Sequence, residues 1–141
     1  MRPRDQALRE LVVQWLDRAE ADLGLAQRLL QDEEPYAWAA AFHAQQAAEK
    51  FLKALLVRSQ IEFPKTHDLQ QILALVRTQD AVLADALDQA AALTQYAVQA
   101  RYPGQFSEVS PEDAREALRL AEQVAEHVRR SMEPYLGRAD G

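Results

Sequence analysis

Apolar residues recur every three or four positions along almost the whole chain, which is the spacing that places them on one side of an α-helix. In the first segment these positions run from Leu8 to Leu30. The pattern is broken at QDEEP, at IEFPKTHDL and at RYPG, where proline or glycine disfavours a helix. It predicts five helices, at about residues 5–31, 35–60, 67–77, 80–101 and 110–132.

Three polar patterns predict where helices begin. Thr66 and Asp80 can cap the free N–H groups of a first helical turn. The stretch SPED at 110–113 combines a capping serine, a proline at the first helical position and two acids that the helix dipole favours. No segment alternates with the period of two that a half-buried strand shows. The predicted fold class is therefore all-α, an antiparallel up-and-down bundle of four long helices plus one short helix.

Length and charge limit the possible functions. The 141 residues fit a single domain at 1–141, with a core at about 8–132 and a frayed tail at 137–141. The net charge of -6 argues against broad nucleic-acid binding. The chain has no cysteine, and MRPRDQALRELVVQW offers neither the apolar core of a signal peptide nor a membrane span. We therefore expect a cytoplasmic protein.

One polar strip interrupts the second predicted helix. At about 100° per residue, the strip residues lie within about 80° of arc, on a different side from the alanine-rich core stripe. They are His43, Gln46, Lys50 and Lys53. The strip is interpreted either as a solvated surface or, because large apolar residues lie among its members, as a half-buried groove or a subunit interface.

Two further polar clusters lie at predicted helix ends. Lys65 and His67 lie at the N-terminus of the short helix, where free N–H groups favour an anion such as phosphate, although a simple capping turn gives the same pattern. Tyr96, Arg101 and Tyr102 meet at the close of the fourth predicted helix. Arginine with tyrosines can hold a base and a phosphate, and it is equally a common interface composition.

The motifs AFHAQQAAEKFLKALL, FPKTHDL and YAVQARYPG, in this order before a final amphipathic helix, resemble the HEPN family, the nucleotide-binding domain of higher eukaryotes and prokaryotes. The resemblance covers about residues 8–132. It implies a helical bundle that dimerises. It also implies a partner, because stand-alone prokaryotic HEPN domains are commonly complexed with a minimal nucleotidyltransferase, often as a toxin–antitoxin pair. Members are further described as binding nucleotides such as ATP or GTP.

The chain departs from the HEPN ribonucleases at their signature, an arginine followed after four to six residues by a histidine. After Arg101 the three allowed positions hold Phe106, Ser107 and Glu108. A ribonuclease would have to use another acid–base pair. The Glu-x-x-His spacing of a bundle metal site is also missing, as are phosphate-binding glycine loops. We therefore expect no catalytic residues, no metal and no cofactor in this chain.

Two hypotheses remain open. In the first, a non-catalytic partner subunit of a minimal nucleotidyltransferase binds a nucleotide or a nucleotide-bearing substrate through the nine residues named above: His43, Gln46, Lys50, Lys53, Lys65, His67, Tyr96, Arg101 and Tyr102. In the second, the same strip and aromatic residues form a dimer contact or a docking face without a small ligand. The residue spacing is the same in both, but charge reversal at Lys50 and Lys53 distinguishes them: the first hypothesis predicts loss of the ligand with the oligomer intact, and the second predicts loss of assembly.

Overall fold

Helices make up most of the computed structural model, which describes residues 2–32, 35–99 and 109–137. Three helices are long and form the frame of the bundle: α1 (Pro3–Leu29), α2 (Ala37–Arg58) and α6 (Pro111–Gly137). Between α2 and α6 lie shorter elements: α3 (Leu69–Arg77), α4 (Ala81–Ala86), a 3-10 helix (Asp88–Leu93) and α5 (Thr94–Gln99). No strand occurs within these described ranges, and the all-helical prediction is confirmed.

Contacts between the long helices establish their relative directions. Arg9, near the start of α1, donates a hydrogen bond of 2.9 Å to the carbonyl of Leu136, near the end of α6. A second contact joins Glu20 and Arg129 at 2.5 Å. Glu20 lies further along α1 than Arg9, and Arg129 lies further from the end of α6 than Leu136. These two contacts show that α1 and α6 are antiparallel, as the predicted topology requires.

Helix α2 buries a stripe of small side chains against its neighbours, and this stripe is the core face predicted from the sequence. Alanine allows two helix backbones to approach closely, while Phe51 fills the space further along the helix. All seven predicted members are buried: Ala40, Ala41, Ala44, Ala47, Ala48, Phe51 and Leu55. The core therefore occupies one side of α2, and the polar strip lies on another.

The segment predicted as a fourth long helix is instead divided into α4, the 3-10 helix and α5 within the described residues. Its buried positions explain the difference. Ala84, Leu87, Ala90 and Leu93 are each at most 3% exposed and lie three residues apart. A period of 3.0 matches the 3-10 helix, in which residues i and i+3 are eclipsed, better than the 3.6-residue turn of an α-helix. Within the 3-10 helix, this geometry keeps Ala90 and Leu93 on one side.

The predicted caps are largely present. Asp80 Oδ1 accepts the N–H of the third residue of α4 at 3.0 Å. Ser110 and Asp113 form a reciprocal capping box at the start of α6, with bonds of 3.0 and 3.1 Å. At α3 the cap is Asp68 rather than Thr66, whose hydroxyl accepts the N–H of Asp68 at 3.1 Å. Thr66 therefore orders the turn that precedes the helix.

Candidate functional site

The polar strip of α2 does not form one continuous surface but divides between two carboxylates. Asp22 of α1 accepts hydrogen bonds from two of its members, His43 Nδ1 at 3.0 Å and Lys50 Nζ at 2.5 Å. Asp22 is half-buried between the two helices. No pattern in the sequence indicates Asp22, because its proximity to α2 depends on the pairing of the two helices and not on any spacing within α1.

The second carboxylate is Glu49, a residue of α2 that is only 3% exposed. Its two oxygens accept bonds from three donors: Gln45 Nε2 at 3.1 Å, Lys53 Nζ at 3.0 Å and His67 Nδ1 at 2.7 Å. Gln46, the remaining strip residue, donates to Gln45 Oε1 at 2.6 Å. The i, i+4 spacing of Gln45, Glu49 and Lys53 is a sequence signal that could have identified this cluster.

Lys53 is enclosed by its surroundings. Besides Glu49, its ammonium group donates to the carbonyl of Thr66 at 3.3 Å. It also lies 5.8 Å from the ring centroid of Trp15 and 5.6 Å from that of Phe63, within the range of cation–π attraction. A buried charge is tolerated when it is paired and hydrogen-bonded in this way. Lys53 is therefore an internal structural cation in this conformation.

The turn before α3 brings Lys65 and His67 near α2, as part of the segment 61–68. Lys65 is exposed, and the side chain of His67 is 50% exposed. The first two N–H groups of α3 already have partners, because Thr94 Oγ1 accepts that of Leu69 at 2.9 Å and the Asp68 carboxylate accepts that of Gln70 at 3.0 Å. A phosphate at this helix end would have to displace these contacts.

Tyr96 is the described member of the third predicted cluster, whereas Arg101 and Tyr102 lie outside the described residues. The side chain of Tyr96 is partly buried and packs against the hydrophobic core. Burial raises the pKa of the Tyr96 phenol above its ordinary value, and the negative charges of Asp113 and Glu116 raise this pKa further. The phenol is thus a neutral hydrogen-bonding group at ordinary pH.

Several large apolar side chains are exposed on α1 and α2, the two helices that carry the carboxylates of the two clusters. On α1, Leu11 and Leu25 are 45% and 40% exposed, and at about 100° per residue they lie on the same side of the helix as Asp22. On α2, Trp38 is 58% exposed and lies within about 60° of Lys53. We use the name α1–α2 face for six residues of these two helices: Leu11, Asp22, Leu25, Trp38, Phe42 and Lys50.

The part of the chain that the structure describes contains neither a metal-binding cluster nor a helix that could cross a membrane. No group of three or more histidine, aspartate or glutamate side chains within residues 2–32, 35–99 and 109–137 is arranged to hold a metal ion. Among the helices of the same ranges, none combines the length and the apolar character that crossing a bilayer requires.

Comparisons with known proteins give one consistent result. The family model of the HEPN domain matches residues 12–131. TT1696 from Thermus thermophilus, whose crystal structure is known, shares 31% sequence identity with this chain. The two structures align with a TM-score of 0.69 over 84% of this chain and 96% of TT1696. The structure of ST0689, an archaeal HEPN homologue, is 28% identical, with a TM-score of 0.67 over 86% of this chain and 97% of that one. No curated protein matches the chain. The chain belongs to the HEPN domain family.

Proposed function

We propose that this HEPN protein is a non-catalytic subunit that dimerises through its α1–α2 face and serves as the partner of a minimal nucleotidyltransferase. The observation that supports assembly is the exposure of Leu11, Leu25 and Trp38 on the two helices that carry the ion-pair clusters. Large exposed apolar side chains are frequent at interaction sites, and tryptophan is prominent among interface residues that dominate binding.

A second copy of the chain fits this face on electrostatic grounds. Asp22 is paired with Lys50, and Glu49 with Lys53, so these charges are compensated within each subunit. Two identical faces meeting about a two-fold axis therefore would not bring uncompensated charges from these pairs together. The apolar residues can then make the contact while the ion pairs keep their partners.

The nucleotidyltransferase partnership is supported by membership of the HEPN family, whose stand-alone prokaryotic members are commonly complexed with such an enzyme. The non-catalytic role is supported by the absence of a histidine at four to six residues after Arg101. In this account the chain supplies a rigid helical platform, and the magnesium-dependent chemistry of nucleotidyl transfer belongs to the partner.

Isothermal titration of the purified chain with a minimal nucleotidyltransferase from the same organism tests this partnership. We expect saturable binding with a fixed stoichiometry and co-elution of the two proteins. The absence of both heat and co-elution at concentrations of tens of micromolar would refute the partnership. Dimerisation through the α1–α2 face is tested separately, by measuring the mass of the chain in solution.

Nucleotide binding at the segment 61–68 is a second candidate function, favoured by the half-exposed ring of His67 beside the exposed side chain of Lys65. Thermal unfolding with millimolar ATP, GTP or inorganic phosphate tests it. A ligand at a hundredfold its dissociation constant stabilises by about 2.7 kcal/mol, which raises the midpoint by several degrees. A matched pair of variants, Lys65→Ala and Lys50→Ala, separates this site from the Asp22 cluster.

A further inference from the structure

A row of buried polar side chains on α2 contacts an irregular segment of the chain. The row consists of Gln45, Glu49 and Lys53, which lie one turn apart on one side of the helix and are each at most 7% exposed. The segment is residues 62–67, which we call the strap. All six strap residues are exposed or half-buried. The strap therefore contacts buried polar groups without burying a side chain of its own.

Side chains, rather than backbone pairing, hold the strap against α2. Among the described residues, the backbone groups of 62–67 form no hydrogen bond with another backbone group. Two α2 side chains donate to strap carbonyls and one strap side chain binds an α2 carboxylate: Gln45 Nε2 to His67 O at 3.4 Å, Lys53 Nζ to Thr66 O at 3.3 Å, and His67 Nδ1 to Glu49 Oε1 at 2.7 Å. Water can replace each of these bonds when the strap lifts, so the net free energy lost per bond is modest.

Phe63 supplies an apolar attachment of the strap. Its ring is edge-on to that of Trp15 on α1, with the centroids 6.2 Å apart, and its centroid is 5.6 Å from Lys53 Nζ. Because Phe63 is only half-buried, lifting it exposes less apolar surface than separating two helices would. Lys53 and Glu49 would regain hydration at the same time, which offsets part of the lost contacts.

Both ends of the strap are anchored independently of the row. Before the strap, Gln60 has a left-handed φ of 55°, and the N–H of Ile61 donates to the carbonyl of Leu56 at 2.9 Å, which closes the end of α2. After the strap, the Asp68 carboxylate caps α3 by accepting the N–H of Gln70. The six residues between these anchors can therefore move without unwinding either helix.

We propose that the strap opens as a unit and controls access to the row of Gln45, Glu49 and Lys53. The closed form, which the structure shows, buries the row. The open form presents an amide, a carboxylate and an ammonium group to solvent at successive turns of α2, so the strap acts as a gate over a polar surface. The inference goes beyond the proposed function, because opening is a property of the chain itself and needs neither a second copy nor a nucleotide.

Thiol labelling of the full chain tests the opening, because the sequence has no cysteine and a single introduced cysteine reports on its own position. Gln45→Cys places the thiol in the row, and Ala44→Cys places it in the core stripe; both positions are 0% exposed. We expect Gln45→Cys to be labelled about a hundredfold faster, because local opening costs less than global unfolding. Low concentrations of urea should accelerate only Ala44→Cys, because the urea dependence follows the surface that is exposed.

Substitutions in the strap itself sharpen this test. In the Gln45→Cys background, His67→Ala removes the contact with Glu49 and should accelerate labelling about tenfold, the scale of one hydrogen bond to a charged group. Lys65→Ala, at an exposed strap position, should leave the rate unchanged. Equal labelling rates for Gln45→Cys and Ala44→Cys, with the same dependence on urea, would overturn the proposal.

The indole N–H resonance of Trp15 tests the opening in a chain whose row is intact. His67→Ala alone should shift this resonance, because Phe63 moves away from Trp15 with the rest of the strap. The resonance of Trp38, which is 58% exposed, is the internal reference and should stay in place. Lys65→Ala should shift neither. An unchanged Trp15 resonance in His67→Ala would contradict opening as a unit.

Discussion

Lys53 Nζ donates a hydrogen bond of 3.0 Å to Glu49 Oε2, one turn away on the same helix, and both side chains are less than a tenth exposed. An ion pair this well buried is supported by its additional partners, which here are the side chains of Gln45 and His67 and the carbonyl of Thr66. The cluster therefore joins α2 to the turn before α3, and removing either charge leaves the other buried without its main partner.

Replacing Glu49 with alanine should destabilise the protein strongly. Lys53 would remain in a buried position without its carboxylate, a change that typically costs about 3–5 kcal/mol. The free energy of unfolding in urea measures this loss, and Glu62→Ala, at an exposed position in the same region, is the matched control. A loss below about 1 kcal/mol for Glu49→Ala would show that the pair is solvated in solution.

Charge reversal of Lys50 and of Lys65 should have different results. Lys50→Glu would place a second carboxylate against Asp22 and remove a charged hydrogen bond, at a cost of about 2 kcal/mol. Lys65→Glu, at an exposed position, should change the free energy of unfolding by less than about 0.5 kcal/mol. Equal effects of the two substitutions on urea unfolding would contradict the pairing of Lys50 with Asp22.

The alanine stripe should not tolerate larger side chains. Ala44 is fully buried, so Ala44→Leu would force the neighbouring helix away or distort side chains, at a cost of about 1–3 kcal/mol. Ala86→Leu, at an exposed position at the end of α4, is the control for the substitution itself. The difference in thermal midpoint between the two variants reports the close approach of α2 to its neighbours.

Tyr96 should contribute to the loss of stability at alkaline pH. Because its pKa is raised in the folded state, the stability it contributes is present below the pKa of an unfolded tyrosine, about 10, and is lost as the pH rises through the raised pKa. Between about pH 9 and 11, wild type should therefore lose more stability than Tyr96→Phe. Tyr36→Phe, which changes a phenol on a side chain that is 57% exposed, is the comparison.

The sequence predicted the helices and their caps well because these depend on neighbouring residues. The apolar spacing of α1, α2 and α6 and the capping box of Ser110 and Asp113 are local patterns. The fourth predicted helix showed the limit of this approach: its apolar spacing of three and four residues was interpreted as one α-helical stripe, whereas a 3-10 helix occupies Asp88–Leu93.

The surroundings of the polar strip could not be predicted from spacing. That His43 and Lys50 share Asp22 depends on how α1 and α2 pair, a relation between residues 21 and 28 positions apart. That Glu49 binds both Lys53 and His67 depends on how the segment 61–68 returns to α2. Both contacts belong to the tertiary structure. A helical pattern predicts on which side of the helix a side chain lies, but not which residue it contacts.

The mass of the full chain in solution, measured by light scattering across a range of concentrations, tests assembly through the α1–α2 face most directly. We predict a mass twice the monomer's 15.9 kDa for wild type and for Val82→Glu, whose site on α4 is 81% exposed. Trp38→Glu should give the monomer mass with unchanged helical circular dichroism. A monomeric wild type, or a Trp38→Glu variant that stays dimeric, would contradict the account.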